Sequence, residues 1–186
     1  AVWTPPGRYF DGGDDFIQVG QDLFEADTSG TLIAWIKRDA IGARDYVFSS
    51  SISAGDSFLE LEVFSNDKLL VGNYKAGAGG YNHGFYGNST IAADTWTMCT
   101  LLSDGSTWSL YVNTTPQTLT AVIGTNTGNW FGNLPTGTHD VRAGRLQYSG
   151  GNSYFKGTIG EVWVYNRVLL AGEITRIYLN TKWRYR

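Results

Sequence analysis

Short apolar segments separated by turn residues recur along the whole chain, and this spacing is the feature that most limits the fold. Segments such as TLIAWIK, FLELEVF and KLLVGNY show the alternation or the apolar character of β-strands. Clusters of Gly, Asn, Asp and Ser separate one segment from the next. About a dozen such strands in 186 residues predict an all-β domain of two packed antiparallel sheets. We therefore expect one domain spanning residues 1–186.

Two parts of the chain give more local predictions. WTMCTLL and WSLYVN flank SDGS, whose Asp-Gly pair is typical of a hairpin turn. The stretch YFKGTIGEVWVYNRVL reads as a strand that becomes apolar on both faces from residue 162 onward. The next residues change to helical spacing, which places Leu170, Ile174, Ile177 and Tyr178 on one side. A short C-terminal helix is therefore predicted to follow the last strand.

Composition and charge exclude several classes of protein. A net charge of −3 does not supply the basic footprint that nucleic-acid binding needs. No run of about 18 apolar residues occurs, so we expect no membrane-spanning segment. Cys99 is the only cysteine, which rules out an internal disulfide, and it lies in an apolar strand segment. We predict a buried structural thiol.

The order and spacing of several motifs resemble the laminin G-like, concanavalin A-like lectin/glucanase domains. The motifs are YFDGGDDFIQV, GTLIAWIKRD, LLVGNY, DTWTMCTLLSDGSTWSLYVN and FKGTIGEVWVYNRVLLAGEITRIYLN. The resemblance implies a jelly-roll sandwich in which the first and last motif strands lie side by side. Members of this family include lectins, carbohydrate-binding modules, glycoside hydrolases and bacteriophage structural proteins. The ending EITRIYLNTKWRYR is most similar to the phage members.

Glu60 and Glu62 are the best catalytic candidates, because two carboxylates on one strand face can serve as nucleophile and general acid. The related glucanases carry Glu-x-Asp-x-x-Glu at this place, whereas this chain has Glu60-Leu-Glu62-Val-Phe-Ser65 and lacks the third carboxylate. The other interpretation is a solvated face of an antiparallel strand. We expect no catalytic residues and no enzymatic activity.

Two aromatic segments are candidates for contact with a glycan or with another subunit. NYKAGAGGYNHGFYGNST and NTGNWFGNL are rich in Gly and show no regular core periodicity. Aromatic rings bind the apolar faces of sugars, and Tyr and Trp are also common at protein interfaces. Both interpretations assign the same residues, namely Tyr74, Tyr81, His83, Phe85, Tyr86, Trp130 and Phe131. The alternative is that these rings cover their own loops.

The segment FDGGDD places Asp11, Asp14 and Asp15 within five residues. Carboxylates in such a cluster suit Ca²⁺, which prefers oxygen ligands. In many relatives a structural calcium lies near this motif and the later strand reads Ile-Asp-Glu-Val. Here that strand reads Ile159-Gly160-Glu161-Val162, so one acidic partner is absent. The alternative is an Asx-type turn without metal, and no other cofactor is indicated.

The tail KWRYR alternates cations with large aromatic residues. Trp, Tyr and Arg are enriched among interface hot spots, which favours subunit docking. The alternative is that the two aromatic rings cover the chain's own sandwich. The docking residues would be Lys182, Trp183, Arg184, Tyr185 and Arg186.

Two functions remain open from the sequence. The first is a non-enzymatic virion surface protein, either a capsid decoration or a tail-fibre component, whose partners are other virion proteins or identical subunits. A cell-surface glycan would be a further partner. The second is a carbohydrate-binding lectin or module of a secreted bacterial protein. A glycoside hydrolase or lyase is the third alternative, behind these two. Both leading hypotheses place the protein outside a cell, on a virion surface or extracellular.

Overall fold

The computed structural model describes residues 2–4, 6–52, 57–74, 81–135, 138–149 and 151–186, with the backbone alone at 2–4 and 81–82. These residues form sixteen strands, one α-helix and two single-turn 3-10 helices. The strands are β1 (Val2–Thr4), β2 (Gly7–Asp11), β3 (Ile17–Gln21), β4 (Gly30–Arg38), β5 (Asp45–Ile52), β6 (Phe58–Val63), β7 (Lys68–Tyr74), β8 (Tyr81–Thr90), β9 (Thr97–Ser103), β10 (Trp108–Val112), β11 (Thr115–Pro116), β12 (Thr120–Ile123), β13 (His139–Ala143), β14 (Arg145–Tyr148), β15 (Gly151–Tyr154) and β16 (Lys156–Tyr165). The helix α1 spans Ala171–Thr181, and the 3-10 turns span Phe131–Asn133 and Lys182–Arg184.

Two seven-stranded antiparallel sheets face each other. Sheet I has the strand order β1-β2-β16-β4-β9-β10-β11, and sheet II has the order β12-β8-β7-β6-β5-β13-β3. Strands β14 and β15 form a separate hairpin. The predicted jelly-roll sandwich with a short C-terminal helix is confirmed.

Neighbours in sheet I confirm two of the local predictions. Strands β2 and β16 pair antiparallel with Phe10 opposite Gly157, so the first and last motif strands are adjacent. The SDGS segment joins β9 to β10, where Ser103 pairs with Trp108. Asp104 fixes that turn by accepting hydrogen bonds from the backbone N–H groups of Ser106 and Thr107. The hydrogen bond from the Ser106 hydroxyl has the largest effect on the Asp104 carboxylate. Together with the backbone hydrogen bonds it lowers the pKa of Asp104 to about 2.

The main hydrophobic core lies between the two sheets. Alternation along the strands supplies it, because every second residue of a pleated strand points to the same face. In β6 the core-facing residues are Leu59, Leu61 and Val63, which are almost fully buried. Cys99 belongs to the same core and is 0% exposed, as predicted.

Burial raises the pKa of the Cys99 thiol to about 12. The thiolate is the reactive form of cysteine, so the native protein is expected to resist alkylation at pH 8. Iodoacetamide labelling followed by mass spectrometry should show no adduct on the folded protein and one adduct in guanidinium chloride. Rapid labelling of the native state would contradict the burial of Cys99.

Helix α1 packs against the outer face of sheet I and forms a second core. Ile174 is fully buried there, and Ile177 and Tyr178 pack against the same cluster. Leu170 is 71% exposed, so its predicted place on the buried face is wrong. Leu170 precedes the helix in an extended conformation, and helical spacing therefore does not apply to it.

The glycine-rich aromatic segment is not a loop where the structure describes it. Residues Tyr81–Thr90 form β8, which pairs with β7 on one side and β12 on the other. Glycine at positions 84 and 87 interrupts the apolar alternation of this strand. For this reason the sequence pattern did not predict a strand here. The described residues contain no helix with the length and hydropathy of a membrane span.

Candidate functional site

The face of sheet II that points away from the core carries an unusual set of polar side chains. Because Leu59 and Leu61 point inward, Phe58, Glu60 and Glu62 on the same strand point to the opposite face. We call this the outer face of sheet II. Pairing places Ser51 opposite both Phe58 and Asp140 on this face.

Arg142 on β13 is the most buried cation of the outer face. One terminal nitrogen donates to Ser51 Oγ at 3.0 Å, and the other donates to Asp140 Oδ2. Asp140 also accepts hydrogen bonds from the side-chain amides of Gln18 and Gln21, at 3.0 and 3.1 Å. Burial lowers the pKa of Arg142, and the charge of Asp140 opposes that shift.

The hydrogen-bonding capacity of Arg142 is only partly used by the described residues. A guanidinium carries five N–H donors, and two are accounted for by Ser51 and Asp140. Its Nε is buried and has no hydrogen-bond partner among the described residues. Unmet donors in a buried cation are costly, and because Arg142 is 2% exposed, an oxygen acceptor can reach it only where the side chains that cover it move aside.

Glu62 is held in an ion pair rather than presented to a substrate. Both of its oxygens accept hydrogen bonds from Arg44, at 2.9 and 2.7 Å, and its side chain is fully buried. Burial raises the pKa of Glu62, and Arg44 opposes the rise. Glu60 lies 4.0 Å from the same Arg44 nitrogen and is also buried. This arrangement favours an electrostatic role for the two carboxylates over the paired catalytic role considered from the sequence.

Aromatic rings gather at one end of the outer face. Phe58 and Tyr74 are stacked, with ring centroids 5.4 Å apart and planes at 13°. Tyr148 lies 6.2 Å from Phe58, and Leu146 of the same β14–β15 hairpin is buried in this cluster. The hairpin therefore covers part of the face, while Tyr74 and Tyr148 stay partly exposed.

Two glycines lie next to each other on the outer face of sheet II. Gly72 on β7 pairs directly with Gly84 on β8. A Cβ atom at Gly72 would stand 2.6 Å from Glu60 Oε1, so the carboxylate occupies the space that a side chain would take. At Gly84 the nearest side-chain atom to such a Cβ would be 3.7 Å away. Space for a side chain is therefore open at Gly84 and filled at Gly72.

Three of the predicted contact residues are core residues instead. Phe85, Trp130 and Phe131 are 8%, 0% and 4% exposed, so the prediction that they contact a ligand or a partner is wrong. Phe85 is on the inward face of β8 and contacts Trp108. Trp130 and Phe131 close the end of the sandwich, where their rings pack against each other at 4.8 Å.

The other predicted aromatic residues have different surroundings. His83 is on the core side of β8, and its Nδ1 accepts a hydrogen bond from the Thr125 backbone at 3.2 Å. Tyr86 is on the outer face, with the Lys68 ammonium 5.1 Å from its ring. The side chain of Tyr81 lies outside the described residues. Of the original set, Tyr74 and Tyr86 are thus placed on the outer face.

The acidic motif near the start forms a local turn. Asp11 Oδ1 accepts the Gly13 backbone N–H at 2.7 Å, and Asp15 Oδ2 accepts the Asp11 N–H at 3.1 Å. Asp14 is exposed. Within the described ranges no three His, Cys, Asp or Glu side chains are placed to hold a metal ion. These hydrogen bonds are those of the Asx-type turn, and calcium binding at Asp11, Asp14 and Asp15 stays a prediction.

The C-terminal tail contains both buried and exposed residues, so each of the two interpretations applies to part of it. Tyr185 is buried and stacks on Trp35 with centroids 4.4 Å apart, so its assignment to subunit docking is wrong. Arg184 pairs with Glu161, and the Lys182 ammonium lies over Tyr178. Trp183 is 62% exposed. Docking by Trp183, with the exposed Lys182, Arg184 and Arg186 around it, stays a prediction.

Sequence reasoning missed Arg142 and Tyr148. The signal for Arg142 was present, because Asp140 and Arg142 flank Val141 in an alternating strand. Asp140 and Arg142 therefore lie on the face opposite Val141. Charged side chains at two such positions are unusual in a strand that lies between other buried strands. Nothing local marked Tyr148, because the hairpin that places it on the outer face forms a non-local contact with β5.

The fold and this polar, aromatic face define a lectin-like β-sandwich. The chain belongs to the concanavalin A-like lectin/glucanases superfamily, whose laminin G family profile matches residues 11–175. No curated protein shows a significant sequence match.

Solved structures with the same fold include modules of sialidases. The CBM40 module of the Ruminococcus gnavus IT-sialidase superposes with a TM-score of 0.77 at 15% identity, covering 93% of this chain and 96% of that one. The same module bound to α2,3-sialyllactose gives 0.73 at 16% identity, with 92% and 95% covered. The NanB sialidase of Streptococcus pneumoniae gives 0.71 at 18% identity, where 93% of this chain covers 28% of the enzyme. At these identities the likeness shows the fold.

Proposed function

We propose that this protein is a non-enzymatic carbohydrate-binding module that acts outside the cell and binds glycans on the outer face of sheet II. The observation that carries the proposal is Arg142, a buried guanidinium whose Nε has no partner among the described residues, on the sheet face that also carries the partly exposed ring of Tyr74. Sugars offer hydroxyl oxygens to such donors and apolar ring faces to aromatic side chains. The virion interpretation finds no support in the solved structures named above.

A sugar with a carboxylate fits Arg142 best. Guanidinium groups bind carboxylates with charge-assisted hydrogen bonds, which are stronger than bonds to neutral hydroxyls. The similar Ruminococcus gnavus module was solved with sialyllactose, a glycan that carries a carboxylate. Among the described residues Arg142 has one close anionic partner, Asp140, and that carboxylate also accepts bonds from Gln18 and Gln21. A ligand carboxylate would complete the surroundings of Arg142.

Replacement of Arg142 by Gln is expected to lower the affinity for an acidic glycan by about 30-fold or more, since truncating a buried charged partner costs roughly 2–5 kcal/mol. Binding is measured by calorimetry with 3′-sialyllactose and with lactose, after a glycan array has surveyed a wider set of acidic and neutral sugars. Arg176→Gln is the matched control, because Arg176 is an exposed cation on α1. Circular dichroism checks that both variants are folded.

Two results would overturn parts of this proposal. If no glycan on the array binds the wild-type protein, the carbohydrate-binding function is wrong. If glycans bind and Arg142→Gln binds them equally well, the function stands and the site is wrong. Release of reducing ends from a bound glycan would contradict the non-enzymatic part of the proposal.

A virion surface protein is the second candidate, and one observation favours it. Trp183 is 62% exposed and Leu179, near the end of α1, is 53% exposed. Large exposed apolar side chains mark interaction surfaces when they are contiguous. In this candidate the partner would be an identical subunit or another virion protein.

A further inference from the structure

The outward side of helix α1 combines exposed apolar side chains with a cation. Arg176, Leu179 and Trp183 follow the i, i+3, i+7 spacing of one helix face, since the 3-10 turn Lys182–Arg184 continues the helix directly. Leu179 and Trp183 keep more than half of their surface exposed, and Arg176 is exposed as well. The opposite side of the helix places Ile174 in the second core. We call Arg176, Leu179 and Trp183 the α1 surface.

The indole ring of Trp183 is exposed but held in one orientation. Its Nε1 donates to the backbone carbonyl of Asn180 at 2.9 Å, which places the ring along the last turn of α1. The guanidinium of Arg184 lies 5.7 Å from the ring centre, and Arg184 is itself paired with Glu161. A ring that is already ordered loses little conformational entropy when a partner covers it. The orientation of Trp183 therefore favours a role in binding.

Charge is distributed unevenly along the chain. Residues 166–186 contain five Lys or Arg side chains and one Glu, whereas residues 1–165 contain nine Lys or Arg and sixteen Asp or Glu. Within the part of the chain that the structure describes, Arg176, Lys182 and Arg186 are exposed and form no ion pair. The α1 surface therefore belongs to a basic segment of an otherwise acidic protein. Such a segment is complementary to an anionic partner.

The arrangement of these side chains matches a lipid surface better than a protein partner. Protein interfaces concentrate their binding energy in contiguous, well-packed patches that exclude water. The α1 surface is instead the convex side of a helix, and its apolar side chains are interspersed with cations. Trp is enriched at the headgroup level of membranes, and each Lys or Arg near an anionic leaflet strengthens binding. A fluid, anionic bilayer accommodates both kinds of side chain without a shaped pocket.

We propose that the α1 surface binds the headgroup region of an anionic lipid bilayer. Trp183 and Leu179 insert at the level of the headgroups, and the exposed cations Arg176, Lys182 and Arg186 lie near the lipid phosphates. This inference does not rest on the proposed glycan binding, because α1 packs on sheet I and the glycan-binding face belongs to sheet II. A protein bound in this way directs the outer face of sheet II away from the lipid.

Vesicle flotation with the full chain tests this inference. Vesicles of phosphatidylcholine alone are compared with vesicles of an equimolar mixture of phosphatidylcholine and phosphatidylglycerol. We expect the protein to float with the anionic vesicles only. This binding should weaken strongly at about 1 M salt, where the Debye length falls to about 3 Å.

Two pairs of variants separate the apolar and the charged parts of the surface. Trp183→Ala should weaken binding by roughly tenfold through loss of apolar contact. Its control is Ile41→Ala, because Ile41 is 66% exposed in the segment between β4 and β5. Arg176→Gln should weaken binding by about fivefold. Lys156→Gln makes the same change in net charge at an exposed residue of β16 and should leave binding nearly unchanged. Circular dichroism checks that the four variants are folded.

Several results would overturn the inference. The first is a wild-type protein that fails to float with anionic vesicles at low salt, or that floats equally well with neutral ones. The second is anionic-vesicle binding that Trp183→Ala and Arg176→Gln leave unchanged. The third is self-association in solution that depends on Trp183 without vesicle binding, which would make the surface a protein interface. Glycan binding is measured without lipid, so each of these failures leaves the proposed function standing.

Discussion

Substitution of Arg38 by Met is expected to lower the free energy of unfolding by about 3–5 kcal/mol, because it leaves a buried carboxylate without its cation. Arg38 is 0% exposed and donates to Asp45 Oδ2 at 2.6 Å and to Asp67 Oδ1 at 2.9 Å. It also donates to the backbone carbonyls of Ile91 and Ala43. Since Arg38 ends β4 in sheet I and Asp45 begins β5 in sheet II, this ion pair connects the two sheets.

Urea unfolding at pH 7 measures this effect, with Arg176→Met as the control. Arg176 is exposed on α1, and its substitution should change stability by no more than about 0.5 kcal/mol. Adding Asp45→Asn to Arg38→Met should recover part of the loss, because the unpaired buried charge is then removed. An equal stability of Arg38→Met and Arg176→Met would contradict the structural role of the pair.

The same variant has an expected pH dependence. A hydrogen bond from the Gly42 backbone, followed by that from Arg38, lowers the pKa of Asp67. A carboxylate with a lowered pKa stabilises the fold above its unfolded value of about 3.9, and the contribution is lost as the pH falls. The stability difference between wild type and Arg38→Met should therefore narrow below about pH 4.

Tyr185→Ala is expected to cost about 3–5 kcal/mol, the usual range for removal of a large buried aromatic side chain. Tyr185 stacks on Trp35 and lies 4.8 Å from the ring of Trp96. Its hydroxyl accepts the Glu161 backbone N–H at 2.9 Å. Burial, the largest cause, raises the pKa of this hydroxyl to about 12. Gly160 lies directly beneath, where a Cβ atom would approach the ring to 2.5 Å.

Trp183→Ala is the matched control for Tyr185→Ala, two residues away on the exposed side of the tail. Thermal unfolding should be nearly unchanged in Trp183→Ala and clearly lowered in Tyr185→Ala. Mass measurement in solution on Trp183→Ala tests the docking prediction without disturbing the second core. If the two variants are equally destabilised, the division of the tail into a core residue and a surface residue is wrong.

The proposed site illustrates how a jelly roll can present binding groups without a loop. Arg142, Ser51 and Glu60 come from three adjacent strands of sheet II. Their positions are set by the pairing of Ser51 with Asp140 and of Ser49 with both Glu60 and Arg142. Side chains fixed by strand register hold a ligand with less loss of conformational entropy than side chains on a mobile loop. Rigid placement of this kind is consistent with the proposed glycan-binding function.

The sequence by itself determined the class of fold, the burial of Cys99, the SDGS hairpin and the helix after the last strand. These features depend on local chemistry, namely period-2 alternation, turn residues and helical spacing, which are all read within a few residues. The face considered for catalysis was also visible, because Phe58, Glu60 and Glu62 alternate with apolar neighbours.

Only the tertiary structure decided which aromatic residues are buried and which polar groups meet. Trp130 and Phe131 looked like exposed loop residues, because no local period distinguishes a ring that closes the end of a sandwich from one that faces solvent. Arg142 meets Ser51 across 91 residues of chain, and Trp35 meets Tyr185 across the second core. Such contacts depend on strand order and register, which are set by packing of the whole chain rather than by the residues nearby.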